Sequence, residues 1–151
     1  MTVSGRVNFS RMDSVVYGRP AAEAVAEEAR KLGANRVLLM VSHSLNNNTQ
    51  EIEAVRRALG NLCCGTFHAM APHTPRNDVI AATRLAREVD TDLIVTIGGG
   101  SITDGAKAVL LCLANGVDSA AGIDALLPVA DAHGSFGPPA TCKAPTIKQI
   151  T

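Results

Sequence analysis

Three consecutive glycines and a serine, Gly98–Ser101, stand between a short apolar run and a stretch of helical character. The apolar run, Leu93–Ile97, is rich in β-branched residues and is typical of a buried strand. Ser101 is a good N-cap residue, so we expect a helix that begins near Ile102. Such a turn predicts a phosphate site, because the backbone can approach the ligand and a helix N-terminus favours an anion. The alternative is a tight turn that binds nothing.

The glycine turn matches neither of the two most common nucleotide-binding fingerprints. The dinucleotide pattern G-x-G-x-x-G would need a glycine at Thr103. The P-loop pattern would need a lysine at Ala106, but the lysine of this chain is Lys107, one residue later. A shift of one residue rotates a helical side chain by about 100°, so this lysine cannot point where a P-loop lysine points. The stretch therefore predicts a different kind of phosphate-binding turn.

Histidines and cysteines are the other residues of this chain that could bind a metal. No two histidines are four residues apart and no C-x-x-C pair occurs, so we predict no metal site in this chain. His73 is the candidate for lining a cleft because it precedes a predicted helix start, and stabilising a local turn is its alternative role. The cysteines are expected to be buried or half-buried thiols. The residues concerned are His43, His68, His73, His133, Cys63, Cys64, Cys112 and Cys142.

The composition indicates one soluble domain that binds neither nucleic acid nor a membrane. The chain has 151 residues, of which 46% are hydrophobic and 3% aromatic, so Ala, Val, Leu and Ile must build the core. Basic and acidic residues number 14 each, and no basic patch suggests nucleic acid. The longest apolar runs are far shorter than the ~20 residues of a membrane span, and no signal-peptide pattern opens the chain. We therefore expect a cytoplasmic protein.

Apolar periodicity predicts strands and helices in alternation along most of the chain. The first predicted elements are extended segments at Arg6–Phe9 and Val15–Tyr17, a helix over Pro20–Leu32 and a strand over Arg36–Val41. A polar turn at His43–Asn48 follows, and then a helix from a capping box at Asn48 to Leu59 and a strand over Gly65–Met70. The last are a helix after Thr74–Pro75, the strand Leu93–Ile97 and a helix to Ala114. This order predicts an α/β fold, with a Rossmann-like doubly wound, mostly parallel sheet and flanking helices.

The carboxyl edge of such a sheet is where ligands bind. The sequence places His43, the segment before Thr74 and the turn Gly98–Ser101 at that edge. Residues 116–144 form a loop-rich excursion with a short helix near Ile123–Leu127, and Pro145–Thr151 is a last strand candidate. An α/β unit that stops directly after a strand is expected to be cut short.

Gly98–Ser101, followed by Asp104 and Lys107, resembles the G-G-G-S-x-x-D-x-x-K signature of the iron-containing alcohol dehydrogenase family. His73 and Pro75 resemble the H-x-P turn of its maleylacetate reductase branch. The order of predicted elements is similar to the family's N-terminal half, and dehydroquinate synthase and glycerol dehydrogenase are more distant relatives. Maleylacetate reductases usually lack the motif aspartate, so Asp104 departs from that branch.

The resemblance implies hydride transfer between NAD or NADP and an alcohol, aldehyde or ketone. Enzymes of this family have a dinucleotide-binding α/β domain and a helical domain that holds Fe²⁺ or Zn²⁺. Residues 1–151 would be the dinucleotide-binding domain, and the metal-binding domain would lie outside this chain. The resemblance also implies a homodimer for the full enzyme. The family's P-T-T-x-x-G-S/G-E stretch should follow Thr151. The chain is therefore expected to carry no catalytic or metal-ligating residue and to be inactive alone.

The resemblance also implies a set of cofactor-binding residues. The turn would cradle the pyrophosphate, and two polar positions of the motif would face the cleft between domains. Ser42 falls where NAD-preferring members often carry an aspartate for the adenosine ribose, so NADP would be tolerated. The implied residues are Gly98, Gly99, Gly100, Ser101, Asp104, Lys107, Ser42 and His73. A stand-alone phosphate-ligand module without catalysis and a structural role without a ligand are the alternatives.

Overall fold

Four parallel strands with helices on both faces form the main body of the protein, in a computed structural model that describes residues 13–130 and 136–151. The helices are α1 (Ala21–Lys31), α2 (His43–Asn48), α3 (Glu51–Leu59), α4 (Arg76–Glu88) and α5 (Gly100–Asn115), and the strands are β1 (Val37–Val41), β2 (Cys63–Phe67), β3 (Leu93–Ile97), β4 (Val129–Ala130), β5 (Phe136–Gly137) and β6 (Lys148–Ile150). Short 3₁₀ helices cover Gly60–Leu62 and Ala121–Leu126. None of the described helices is long and apolar enough to cross a membrane.

The strand order of the main sheet is β2-β1-β3-β6, and all three pairings are parallel. From β2 at one edge the chain crosses back over β1 to form β3 on its other side. The strand order therefore reverses between β1 and β3, and in such sheets the crevice at the carboxyl ends of these two strands is where ligands bind. The predicted α/β fold with a parallel sheet and flanking helices is confirmed.

Alternate residues of the central strands build two separate hydrophobic layers. Leu38, Met40 and Ile94 face the layer under α4 and α5, while Val37 and Leu93 face the layer under α1 and α3. Every residue of β1 is buried because helices cover both faces, which is why its sequence is an unbroken apolar run. Alanines of the helices let them lie close to the sheet without large aromatic side chains, namely Ala26, Ala29, Ala82, Ala86 and Ala106.

Two predicted strands differ from the structure. β2 covers Cys63–Phe67, two residues earlier than the predicted start, because Cys63 pairs with Val37 and Phe67 with Met40 of β1. The extended segment predicted at Val15–Tyr17 does not form a strand, since no regular structure is assigned there. The other predicted extended segment, Arg6–Phe9, lies outside the described residues.

The two helices that follow β1 also differ from the prediction. The polar segment after β1 is the helix α2, whose N-terminus is capped by Ser42 Oγ accepting from Leu45 N at 3.4 Å. The capping box at Asn48 is wrong: α3 begins at Glu51, whose N–H donates to Thr49 Oγ1 at 3.3 Å. The short helix predicted near Ile123–Leu127 is a 3₁₀ helix over Ala121–Leu126.

One carboxylate joins the loops that precede β1 and β3. Asp92 accepts hydrogen bonds from the N–H groups of Asn35 at 2.8 Å and Arg36 at 3.0 Å, and Thr91 Oγ1 donates to Arg36 O at 2.8 Å. These bonds lie next to the pairing of Val37 with Leu93 and hold the two central strands in register.

We expect Asp92→Asn to lower the free energy of unfolding by about 1 kcal/mol, because an amide oxygen replaces a charged acceptor and retains only part of the bonding. Asp90→Asn is the matched control, since no hydrogen bond or ion pair to the Asp90 carboxylate occurs among the described residues and asparagine tolerates its positive φ of 49°. Urea unfolding followed by circular dichroism measures both. Equal stability of the two variants would contradict this role of Asp92.

Candidate functional site

The carboxyl ends of β1 and β3 are joined directly at the point where the strand order reverses. Ser42, the residue after β1, donates its N–H to Ile97 O at the end of β3, at 3.0 Å. A methyl group on Gly98 would lie 3.2 Å from Cβ of Ser42 and 2.9 Å from Cγ1 of Ile102. Distances this short show that Gly98 is glycine because the chain itself packs against it.

The next two glycines are different, because nothing in the described residues packs against them. A methyl group on Gly99 or on Gly100 would meet no atom within 4 Å. The backbone of Gly99 is extended, with φ −88° and ψ −172°, and Gly100 is helical, so neither conformation requires glycine. The missing side chains leave open space in front of the N-terminus of α5. This space has the form of a cradle for a ligand that approaches the backbone.

Helix α5 begins two residues earlier than predicted, and Ser101 is not its N-cap. The cap position is Gly99, which has no side chain to accept a hydrogen bond. No acceptor among the described residues takes the N–H groups of Gly100 and Ser101. These donors and the positive end of the helix dipole face the open space, which favours an anion there.

Ser101 instead holds the loop that precedes α4. Its Oγ accepts from His73 N at 3.0 Å, and its carbonyl oxygen accepts from Thr74 Oγ1 at 3.2 Å. His73 and Thr74 have positive φ angles of 64° and 54°, which non-glycine residues rarely adopt. Asp78 ties the other end of the loop by accepting from Ala71 N at 2.9 Å. The loop is therefore fixed against the glycine turn, and His73 lies at the predicted edge.

Two histidines that are distant in the sequence lie together beside this turn. The rings of His43, at the start of α2, and His68, just after β2, have centroids 5.8 Å apart and planes tilted by 32°. The two residues are 25 positions apart, so their spacing in the sequence gives no signal of this contact. Only the pairing of β1 with β2 brings them to neighbouring positions.

Asp104 and Lys107, the two polar positions of the motif, form an ion pair with each other. Lys107 Nζ lies 3.0 Å from Asp104 Oδ1, and the two side chains are 64% and 65% exposed. No other polar contact of either side chain occurs within the described residues. They lie on the exposed face of α5 and do not join the cluster formed by Ser42, His73 and the glycine turn.

Acidic side chains are absent from the three segments that meet at this edge. Residues 42–50, 68–77 and 98–103 contain three histidines, one arginine and no aspartate or glutamate. An anionic ligand would therefore meet no repulsion from these segments, and their hydroxyl, imidazole and backbone N–H groups can donate to it.

Two pockets of the described region lie away from this edge. A cavity of about 180 Å³ is at the amino ends of β3 and β6, where Gly33, Asp92, Thr146 and Lys148 line it, and a smaller one adjoins Leu110. Neither touches the glycine turn, where the open space in front of Gly99 and Gly100 forms a ledge. Such a ledge can hold an extended ligand along one side while the other side stays accessible.

The cysteines take no part in this edge. Cys112 is buried and Cys63, Cys64 and Cys142 are half-buried, and all four are free thiols, as predicted. Burial raises the pKa of the thiols of Cys63, Cys64 and Cys112, which keeps them protonated at neutral pH. His133, the fourth predicted histidine, lies outside the described residues.

The sequence profile described as iron-containing alcohol dehydrogenase matches residues 13–146 of this chain. The chain belongs to this family. The glycine turn that carried the resemblance lies inside the matched region, and the family prediction is confirmed.

Curated relatives include a dehydrogenase and several maleylacetate reductases. Dehydrogenase FUM7 of Gibberella moniliformis is 38% identical over 114 residues, which are 75% of this chain and 27% of that protein. The maleylacetate reductase of Rhizobium sp. is 36% identical over 97 residues, which are 64% of this chain and 27% of that protein. The match with this chain thus spans about a quarter of the length of either relative.

Solved structures of the same family share the fold. The maleylacetate reductase of Agrobacterium tumefaciens superposes with a TM-score of 0.63 at 22% identity, covering 98% of this chain and 43% of that one. The NADH-dependent butanol dehydrogenase A of Thermotoga maritima gives 0.66 at 17% identity, covering 96% and 44%. The sulfoacetaldehyde reductase of Bifidobacterium kashiwanohense, solved in complex with NAD⁺, gives 0.59 at 20% identity, covering 64% and 25%.

Proposed function

We propose that this chain is the NAD(P)-binding portion of an iron-containing alcohol dehydrogenase or maleylacetate reductase-like oxidoreductase. The full enzyme would transfer hydride between NAD(P)H and an alcohol or carbonyl substrate. The observation that carries the proposal is the open space in front of Gly99 and Gly100, where neither packing nor backbone conformation requires glycine. The family membership and the NAD⁺ complex of one relative in the same fold support it.

Each residue of the edge has a distinct part in holding the cofactor. The N–H groups of Gly100 and Ser101 would donate to the pyrophosphate, and Gly99 would leave room for it. Gly98 lets Ser42 approach the turn, and the hydroxyl of Ser42 would contact the adenosine ribose. Bound NAD(P) would supply the hydride donor or acceptor.

The loop before α4 and the exposed pair on α5 complete the proposed site. His73, held by Ser101, borders the ledge on the side of α4. Asp104 and Lys107 form an ion pair with each other, and both side chains are exposed. Both would therefore be accessible to a second domain across a cleft.

The described residues contain no set of side chains that could hold a metal ion. No group of three or more His, Cys, Asp or Glu side chains in residues 13–130 and 136–151 is placed to hold one. We propose that a separate metal-binding domain of the full enzyme supplies the site for Fe²⁺ or Zn²⁺. The greater length of the relatives supports this division into domains.

Titration of the purified chain with NADH and NADPH, followed by cofactor fluorescence, tests the proposal. The protein has no Trp and one Tyr, so its own emission contributes little background. We expect saturable enhancement, because the turn offers free N–H donors to the pyrophosphate. No enhancement at millimolar cofactor would contradict the dinucleotide site.

An activity assay separates this proposal from a stand-alone binding module. We expect no alcohol oxidation by the chain with added Fe²⁺ or Zn²⁺, and activity only when the chain is extended by the segment that its longer relatives contain. Turnover by the 151-residue chain would contradict the proposed division. An extended protein that binds NADH but never turns over would favour the stand-alone binding module.

A further inference from the structure

We propose that Ser101 is a positioning residue that couples the glycine turn to residues 71–75, the loop before α4, so that an anion bound at the turn fixes the conformation of this loop. The inference rests on the proposed dinucleotide site and adds to it a second element that responds when the site is filled. It is carried by the three polar groups of Ser101 and by the backbone strain of the loop that two of them hold.

Ser101 offers one polar group to the ledge and the other two to the loop. Its N–H has no acceptor among the described residues, so it is available to an anion in front of α5. Its Oγ accepts from His73 N at 3.0 Å, and its carbonyl oxygen accepts from Thr74 Oγ1 at 3.2 Å. An anion that draws the Ser101 N–H towards it therefore moves the acceptors of both loop contacts.

The middle of this loop is strained. His73 and Thr74 have φ angles of 64° and 54°, a region that is least favourable for a β-branched residue such as threonine. Such strain persists only where the surrounding structure holds it, and it concentrates at ligand clamps and switch regions. Ser101 is the residue outside the loop to which both strained residues are bonded, so their conformation depends on its position.

The two ends of the loop are fixed without Ser101. At one end, Asp78 in the first turn of α4 accepts from Ala71 N at 2.9 Å. At the other end, the buried Met70 packs on Gly105 of α5, where an added methyl group would lie 2.7 Å from Cε of the methionine. Loss of the Ser101 hydroxyl is therefore expected to release the middle of the loop and to leave the fold intact.

An NMR titration of the isotopically labelled chain with inorganic pyrophosphate, read from the backbone amide resonances, tests the coupling. In the wild-type protein we expect the amides of Gly100 and His73 to shift together, with one dissociation constant. In Ser101→Ala, which keeps the N–H and removes the hydroxyl, the Gly100 amide still shifts and the His73 amide no longer responds. Ser101→Thr keeps a hydroxyl and is expected to keep the response. Ser119→Ala is the matched control, because it removes a hydroxyl that accepts a backbone N–H, that of Gly122 at 3.3 Å, beyond the opposite end of α5.

The affinity for NADH gives a second readout that separates positioning from direct contact. Ser101→Ala is expected to raise the dissociation constant of NADH about fivefold, the usual effect of one lost hydrogen bond. Adding Thr74→Asn to that variant should recover most of the loss, because asparagine adopts a positive φ more readily than a β-branched residue and keeps the loop in place. A hydroxyl that contacted the pyrophosphate itself would leave a loss that Thr74→Asn cannot recover, and that result would overturn the inference.

The remaining outcomes distinguish this inference from the proposed function. A Gly100 amide that shifts in the wild-type protein without any response of His73 would overturn the coupling, and the proposed function would stand. The same holds if the His73 response is unchanged in Ser101→Ala, since the loop would then sense the ligand without the hydroxyl. If the Gly100 amide does not shift and NADH does not bind, the proposed function is rejected, and this inference with it. Circular dichroism verifies that each variant is folded, and Thr74→Val, which removes the other bond to Ser101, is a second variant that should weaken the response of the Thr74 amide.

Discussion

Gly100→Asp is expected to weaken NADH binding at least about 100-fold without lowering the stability of the fold. The new carboxylate would enter the open space before α5, where we place the pyrophosphate. Like charges brought together in a binding site cost several kcal/mol, and about 1.4 kcal/mol corresponds to a tenfold change in affinity. The fold tolerates the change because the position is helical, no described atom lies within 4 Å, and an acidic residue is favourable in the first turn of a helix.

Gly100→Asn separates the effect of charge from that of bulk. Asparagine has nearly the shape of aspartate and no charge, so we expect it to lose less affinity than the aspartate variant. The measurement is the same fluorescence titration, with thermal unfolding as the test of folding. NADH binding by Gly100→Asp at wild-type strength would reject the glycine turn as a phosphate site and favour the purely structural alternative.

Gly98→Val is expected to destabilise the protein by about 2 to 3 kcal/mol, the usual cost of overfilling a packed site. Its Cβ alone would lie 2.9 Å from Cγ1 of Ile102 and 3.2 Å from Cβ of Ser42. Neither atom is at the free end of a flexible side chain, so the start of α5 or the end of β1 must shift. Urea unfolding measures the loss, which should appear as a lower midpoint with an unchanged slope.

Gly100→Val is the matched control, since it makes the same substitution two residues later. The added side chain meets open space there, and valine is no worse than glycine in a helix. We expect stability within about 0.5 kcal/mol of wild type and loss of NADH binding, because the side chain fills the cradle. If both valine variants lost stability equally, the contrast between the packed glycine and the open glycine would be wrong.

Local patterns were enough to predict the architecture. The runs that became β1 and β3 are buried on both faces, over five consecutive residues in β1 and four in β3, and both stand out as largely apolar in the sequence. The glycine turn likewise stands out in the sequence, because few structures other than a turn accept three glycines. Polar segments were less predictable: α2 is a helix because Ser42 caps it and Arg56 holds Asn46 from the neighbouring helix.

The sequence by itself determined the strand and helix alternation, the edge at which the candidate residues gather and the family to which the chain belongs. Only the tertiary structure decided that Gly98 serves packing while Gly99 and Gly100 face open space. It also decided that Ser101 holds the His73 loop and that two histidines 25 residues apart become neighbours. The apolar pattern of a buried strand or helix can be recognised within that one segment of the sequence. The contacts of a turn depend on strand order, which arises when distant segments pair.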